Sequence, residues 1–204
     1  MRGTVMGDLM EQRRRRGRTS DAERADRRNE ILDVAVDSFR EVGFARTTID
    51  AIATAAGVAK RTVYSYFGDK SAVFAAAVAR QHSYVENAGS GQSDLLAAAV
   101  DIVVALHSEN SIALHRMMIG EALQFPDLAA AFYESGPAKS IAFLEKILLD
   151  QHGEEAALCA DQLYTLLLGE EHRRRLLGLA SEPTPEKAGQ LAARAMGCVL
   201  GSDR

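Results

Sequence analysis

Long apolar runs are missing from this 204-residue chain. No stretch reaches the roughly 18 uninterrupted apolar residues that a membrane-spanning helix needs. The arginine-rich N-terminal stretch has no apolar segment behind it, which argues against a signal peptide. Cysteine is scarce: Cys159 and Cys198 stand far apart within helical patterns and are expected as buried hydrophobes in a reduced cytosol. No segment alternates with period two for long enough to make a sheet. No glycine-rich phosphate loop is present, and such loops also need a strand that this pattern lacks. His82, His107, His115, His152 and His172 show no metal-ligand spacing, and no serine or cysteine has a visible partner for nucleophilic attack. The expectation is therefore no catalytic residue, no metal, no cofactor and no membrane.

What is present is helical throughout. Apolar residues make up 47% of the chain and charged residues 25%, enough for a sizeable core in a soluble protein. Residues 1–70 carry 14 Lys/Arg against 11 Asp/Glu, whereas residues 71–204 carry 10 against 17. A basic end on an acidic remainder suits a protein that presents one end to nucleic acid. Helical periods predict a helix from about Ala25 to Val42, ending at Gly43, and a connecting helix over 70–87 that stops at AGSGQS. Further helices are expected near 93–108, 111–124, 126–151, 154–178 and 185–201, with Gly136-Pro137 splitting the third and Pro126 and Pro185 in first turns. The run Arg173-Arg174-Arg175 is read as a solvated helix end whose cations complement the helix dipole.

The densest signal is ILDVAVDSFREVGFARTTIDAIATAAGVAKRTVYSYFGDKSAVFAAAV over residues 31–78. Ala53 is small enough for two helices to approach, and Gly57 suits the tight turn between them. Ile49, Ile52 and Ala53 on one helix, with Val63 and Phe67 on the next, form apolar faces that clamp a helix-turn-helix. Lys60, Arg61, Thr62, Tyr64 and Tyr66 are left to face outward, where cations and hydroxyls suit phosphates and base edges. Thr47 and Thr48 at a helix start, where a hydroxyl caps the helix or meets a phosphate, and Lys70 are expected on phosphates. Arg13, Arg14, Arg15, Arg16 and Arg18 form either an arm that follows the DNA or a solvated tail.

AIATAAGVAKRTVYSYFGDKSAVF resembles the N-terminal domain of the TetR family of bacterial transcriptional regulators, over about 48 residues without a gap. Arg61 departs from the small residue the family often has there, and adds a cation. MMIGEALQFPDLAAAFYESGPAKSIAFLEKIL is similar, more loosely, to the C-terminal domain of the AefR-like subgroup. The resemblance implies an all-α chain with three parts: a flexible arm at 1–24, a helix-turn-helix domain at 25–70 and a helical ligand-binding and dimerisation domain at 71–204.

It also implies a cytoplasmic homodimer on a palindromic operator in double-stranded DNA, acting as a repressor that a small-molecule effector releases. The alternatives are a DNA-binding protein without sequence preference and an all-α enzyme, which no residue constellation supports. The resemblance puts the dimer interface on the last two helices, with Leu163, Leu166, Leu167, Ala192, Ala195, Met196 and Val199. His115, Met118, Glu121, Gln124, Phe125, Phe132 and Tyr133 are the mixed apolar and polar set expected to line an effector pocket.

Overall fold

Ile31, Leu32, Ala35, Val36 and Phe39 recur at helical spacing, and all five are buried. They set the face on which the first helix packs. The computed structural model describes residues 4–83 and 94–201, with side chains from Asp21 onward except Gln151. The helices are α1 (Thr4–Arg46), α2 (Ile49–Ala55), α3 (Lys60–Phe67), α4 (Lys70–Gln81), α5 (Leu95–Leu106), α6 (Glu109–Glu121), α7 (Pro126–Ser135), α8 (Pro137–His152), α9 (Ala156–Leu176) and α10 (Pro185–Leu200). The chain is all-α. Among the described residues no single helix is long and apolar enough to cross a membrane.

Caps mark most of the starts. Thr48 accepts from Ala51 N at 3.1 Å and Asp69 from Ala72 N at 2.7 Å, which terminates the short turns ahead of α2 and α4. Pro126, Pro137 and Pro185 occupy first turns, where the missing N–H costs nothing. The split at Gly136-Pro137 is present as expected. The stretch expected as a flexible or partly helical arm continues α1 back to Thr4. Its many Arg, Glu, Met and Leu residues are good helix formers. The side chains of Arg13, Arg14, Arg15, Arg16 and Arg18, and the AGSGQS break, lie outside the described residues.

Two cores result. One joins α1–α4 to Leu114 and Met118 of α6 and Leu128 of α7; the other joins α5, α8, α9 and α10. The first core runs across the boundary expected at residue 70. A ladder of rings carries it across: Phe39 meets Phe74 at 5.5 Å, Phe44 meets Phe125 at 5.4 Å, and Phe74 meets Phe132 at 6.2 Å. The helix-turn-helix is thus built onto the C-terminal part rather than tethered to it.

Three expectations about polar and sulfur side chains change. Cys198 is exposed and Cys159 only partly buried, so neither is a fully buried hydrophobe. Arg175, expected in solvent, is buried and donates to Glu109 Oε1 at 2.7 Å, tying the end of α9 to the start of α6. Arg116 of α6 donates to the carbonyls of Arg175 and Leu176 at the end of α9, the first of which also accepts from Gly178 N.

Candidate nucleic-acid interface

The turn between α2 and α3 closes on backbone bonds: Val58 N donates to Ala53 O at 2.9 Å and Gly57 N to Thr54 O at 3.1 Å, with Gly57 at φ 63°. Ile49, Ile52, Ala53 and Val63 are buried, and Phe67 packs against the same core. That fixes the roll of α3. Lys60, Arg61 and Tyr64 point to solvent, Tyr64 with 45% of its surface exposed, while Thr62 and Tyr66 are half-buried.

Lys60 Nζ lies 2.7 Å from Asp50 Oδ2 and 5.9 Å from the Tyr64 ring centre. The bond and charge of Asp50 raise its pKa above the ordinary lysine value. Both partners are exposed, so the pair is weak and easily exchanged for a phosphate. Two cations missed in the sequence flank the helix. Arg24 and Arg28 of α1 sit over the rings of Tyr66 and Phe67, at 6.0 and 5.2 Å from the ring centres. Their four-residue spacing on α1 was the available signal, but only the packing of α1 beside α3 gives it meaning.

Two residues expected on phosphates are turned inward. Thr47 is 2% exposed, and its hydroxyl donates to Gly43 O at 2.7 Å and Ser38 O at 3.2 Å. Lys70 Nζ donates to Phe44 O at 2.6 Å and Thr47 O at 2.9 Å, and covers the Phe44 ring at 4.2 Å. Burial holds its pKa below the ordinary lysine value, opposed by Glu121. Thr48, the third, is the cap of α2. Carbonyls in the last turns of α1, with that of Thr47 just beyond it, take up both groups.

The residues expected around an effector separate into two groups. Met118 and Phe125 belong to the first core, Gln124 is exposed, and Glu121 accepts from Phe44 N at 2.7 Å and Ala45 N at 3.0 Å. These four serve the joint between α6 and the helix-turn-helix or face solvent. His115, Phe132 and Tyr133 lie nearer a group that sequence reading dismissed. The His115 ring stands edge-on to His172 at 4.9 Å and to Phe132 at 5.0 Å, and His172 stands edge-on to His107 at 5.4 Å.

His115 Nδ1 donates to Ser111 O at 3.0 Å and His107 Nε2 to Leu167 O at 3.1 Å. A carbonyl only accepts, so each bond places the proton. Among the described residues no three His, Cys, Asp or Glu side chains are arranged to hold a metal ion. Burial, then the neighbouring histidines, pushes His172 down to about 3; burial, opposed by the Ser111 carbonyl, pushes His115 down to about 4. Burial also lowers His82 and His107.

These imidazoles stay neutral in the folded chain, whereas the unfolded chain protonates them below about pH 6.5. Stability therefore falls as pH drops below about 6.5, and keeps falling until the folded values are reached. A decrease in Tm on the order of 10 °C between pH 7 and pH 5 is expected by thermal melting. His115→Asn should remove part of that dependence. A Tm unchanged across this range would contradict the assignment of neutral, buried rings.

The dimer residues divide as well. Leu163, Leu167, Ala192 and Ala195 are buried in the chain's own second core, so they are not available to a partner. Leu166 is 45% exposed, and Met196 and Val199 are half-buried. Leu158 on α9, and Ala193 and Gly197 on α10, are exposed as well.

A helix-turn-helix clamped on a helical body, with a cationic and hydroxyl-bearing second helix turned outward, defines a DNA-binding transcription regulator. Residues 31–77 match the model of bacterial regulatory proteins of the tetR family, and residues 93–201 match that of the AefR-like transcriptional repressor C-terminal domain. The chain belongs to the TetR family. The Flavonoid-responsive Regulator FrrA, a solved structure, is 30% identical, with 86% of this chain and 96% of that one covered and a TM-score of 0.62. A TetR-family structure from Mesorhizobium loti, at 24% identity, shares the fold with a TM-score of 0.67 over 87% and 96% of the two chains. A Mycobacterium tuberculosis regulator named for mycofactocin biosynthesis is 33% identical over 106 residues, 49% of this chain. The chain spans about half the length of that relative, 53%. The relatives are regulators, not enzymes.

Proposed function

We propose that the chain is a homodimeric, sequence-specific repressor that binds a palindromic operator in double-stranded DNA and is released by a small-molecule effector. The observation that carries the DNA half is the outward face of α3: Lys60, Arg61 and Tyr64 in solvent, opposite a buried Val63. Thr62 and Tyr66 sit at its edges, and Arg24 and Arg28 extend the cationic surface along α1. One such helix reads only a few base pairs, so two copies about one DNA turn apart are needed for a specific site.

The effector half rests on the C-terminal part and on the responsiveness named for FrrA. α6 links the two functions. It carries His115 in the histidine cluster and, at its end, Glu121 on the backbone next to the helix-turn-helix. An effector that favours one position of α6 shifts the equilibrium between DNA-binding and released states. The setting is the cytoplasm, where the operator is.

The test is selection of bound duplexes from a random pool. Enrichment of an inverted repeat with half-sites about 34–36 Å apart, or a multiple, supports the reading. Equal recovery of all sequences would replace it with non-specific binding. The dimer is assigned to the exposed face of α9 and α10. Leu166→Glu and Gly197→Glu together should give folded monomers in sedimentation, with operator affinity reduced to the non-specific level. Leu167→Asp should instead unfold the chain, because Leu167 is core. A double variant that stays dimeric would move the interface elsewhere.

A further inference from the structure

Leu114 and Met118 place α6 in the core of the helix-turn-helix, while the other core takes its described residues from α5, α8, α9 and α10. Two arginines tie α6 to that second core. Arg116 Nε donates to Leu176 O at 2.8 Å, and Arg116 Nη2 donates to Arg175 O. In the other direction Arg175, only 2% exposed, donates to Glu109 Oε1 at 2.7 Å. At the far end of α6, Glu121 accepts from Phe44 N and Ala45 N. α6 is thus fixed to the last turn of α9 at its start and middle, and to the DNA-binding head at its end.

We propose that Arg116 is a positioning residue for operator binding: by locking α6 to the last turn of α9, it sets the separation of the two recognition helices in the dimer. The inference rests on the homodimer reading above, in which α9 carries part of the partner face through exposed Leu166. An arginine suits this task. Its planar fork offers donors at fixed angles to two successive carbonyls, so the bonds define an orientation as well as a distance. Its charge also complements the negative end of α9. A lysine would keep the second effect and lose the first. One added base pair moves a half-site by about 3.4 Å and turns it by about 35°. A wrongly spaced site is bound only if the heads move, and that movement strains the clasp. Discrimination between spacers therefore reports the joint, whereas affinity for a lone half-site reports α3.

The test compares the parent, Arg116→Ala and Arg116→Lys by fluorescence anisotropy. The duplexes are the selected operator, the same operator with one base pair added or removed between half-sites, and a single half-site. The parent should prefer the selected spacer by about tenfold or more, the effect of breaking charge-assisted bonds. Arg116→Ala should cut that preference to about threefold or less, with half-site affinity unchanged. Arg116 is exposed, so its loss leaves no cavity and Tm should stay close to that of the parent. Arg116→Lys should fall between the two. It keeps a cation at the end of α9 and carries the test if Arg116→Ala does not fold. Arg173→Ala removes a neighbouring cation that is bonded to Glu170 of its own helix, and should behave as the parent. Spacer preference retained in the folded Arg116 variants would overturn the inference. So would an equal loss on half-site and operator, or the same broadening in Arg173→Ala. A parent without any spacer preference would overturn the dimer reading, and the inference with it.

Discussion

Arg61→Ala and Tyr64→Ala are each expected to lower affinity for the selected operator by roughly thirtyfold to twenty-thousandfold, with little change in folding stability. A contact to a base edge discriminates by about 1–3 kcal/mol, and a dimer makes each contact twice. Both side chains are exposed, so their loss leaves no cavity, and surface changes of this kind stay within about 0.5 kcal/mol of neutral. Lys60→Ala should behave differently. Its ammonium exchanges Asp50 for a phosphate, so affinity for all duplexes falls alike and the slope of log K against log salt drops by about two per dimer. Fluorescence anisotropy at several salt concentrations, on operator and on scrambled duplex, measures both quantities. Operator binding untouched by Arg61→Ala and Tyr64→Ala would remove α3 from the interface.

Gly43→Ala should lower Tm by about 10 °C or more and uncouple the helix-turn-helix from α6. Gly43 has φ 79° and ψ 168°, a conformation largely confined to glycine, which costs another residue about 1–3 kcal/mol. An added Cβ would also come within 2.6 Å of Glu121 Oε1. Relieving that contact moves the carboxylate away from Phe44 N and Ala45 N, two donors that then lack their partner. Ala45 N is exposed and turns to water, but Phe44 N belongs to a buried residue and costs about a further 1–3 kcal/mol when unsatisfied, and 1 kcal/mol corresponds to about 2–4 °C in a chain of this size. Glu121→Gln keeps the shape and one acceptor oxygen, so it should destabilise less. A Gly43→Ala protein that melts with the parent would show that this joint does not hold the two parts together.

The order of the helices from residue 25 onward could be read from the sequence because it depends on local causes. Period, proline at first turns, capping side chains and the Ala53–Gly57 turn all act within a few residues of one another. The outward set on α3 was legible for the same reason: Val63 and Phe67 define one face, and Lys60, Arg61 and Tyr64 must take the other. Periodicity tells which residues share a face; it does not tell what covers that face. Leu163, Leu166 and Leu167 lie in one apolar run, and only the packing of α8 and α10 against α9 decided that Leu166 alone stays outside. Thr47 and Lys70 look like phosphate ligands until the carbonyls at the end of α1 are placed beside them. His107 at the end of α5, His115 of α6 and His172 of α9 are up to 65 positions apart, and nothing local to any of them signals the others. Their contact, the joint at Glu121 and the tie of Arg116 to the end of α9 exist only because non-local packing brings distant segments together. A single sequence records the cost of ordering those segments and not the contacts that offset it.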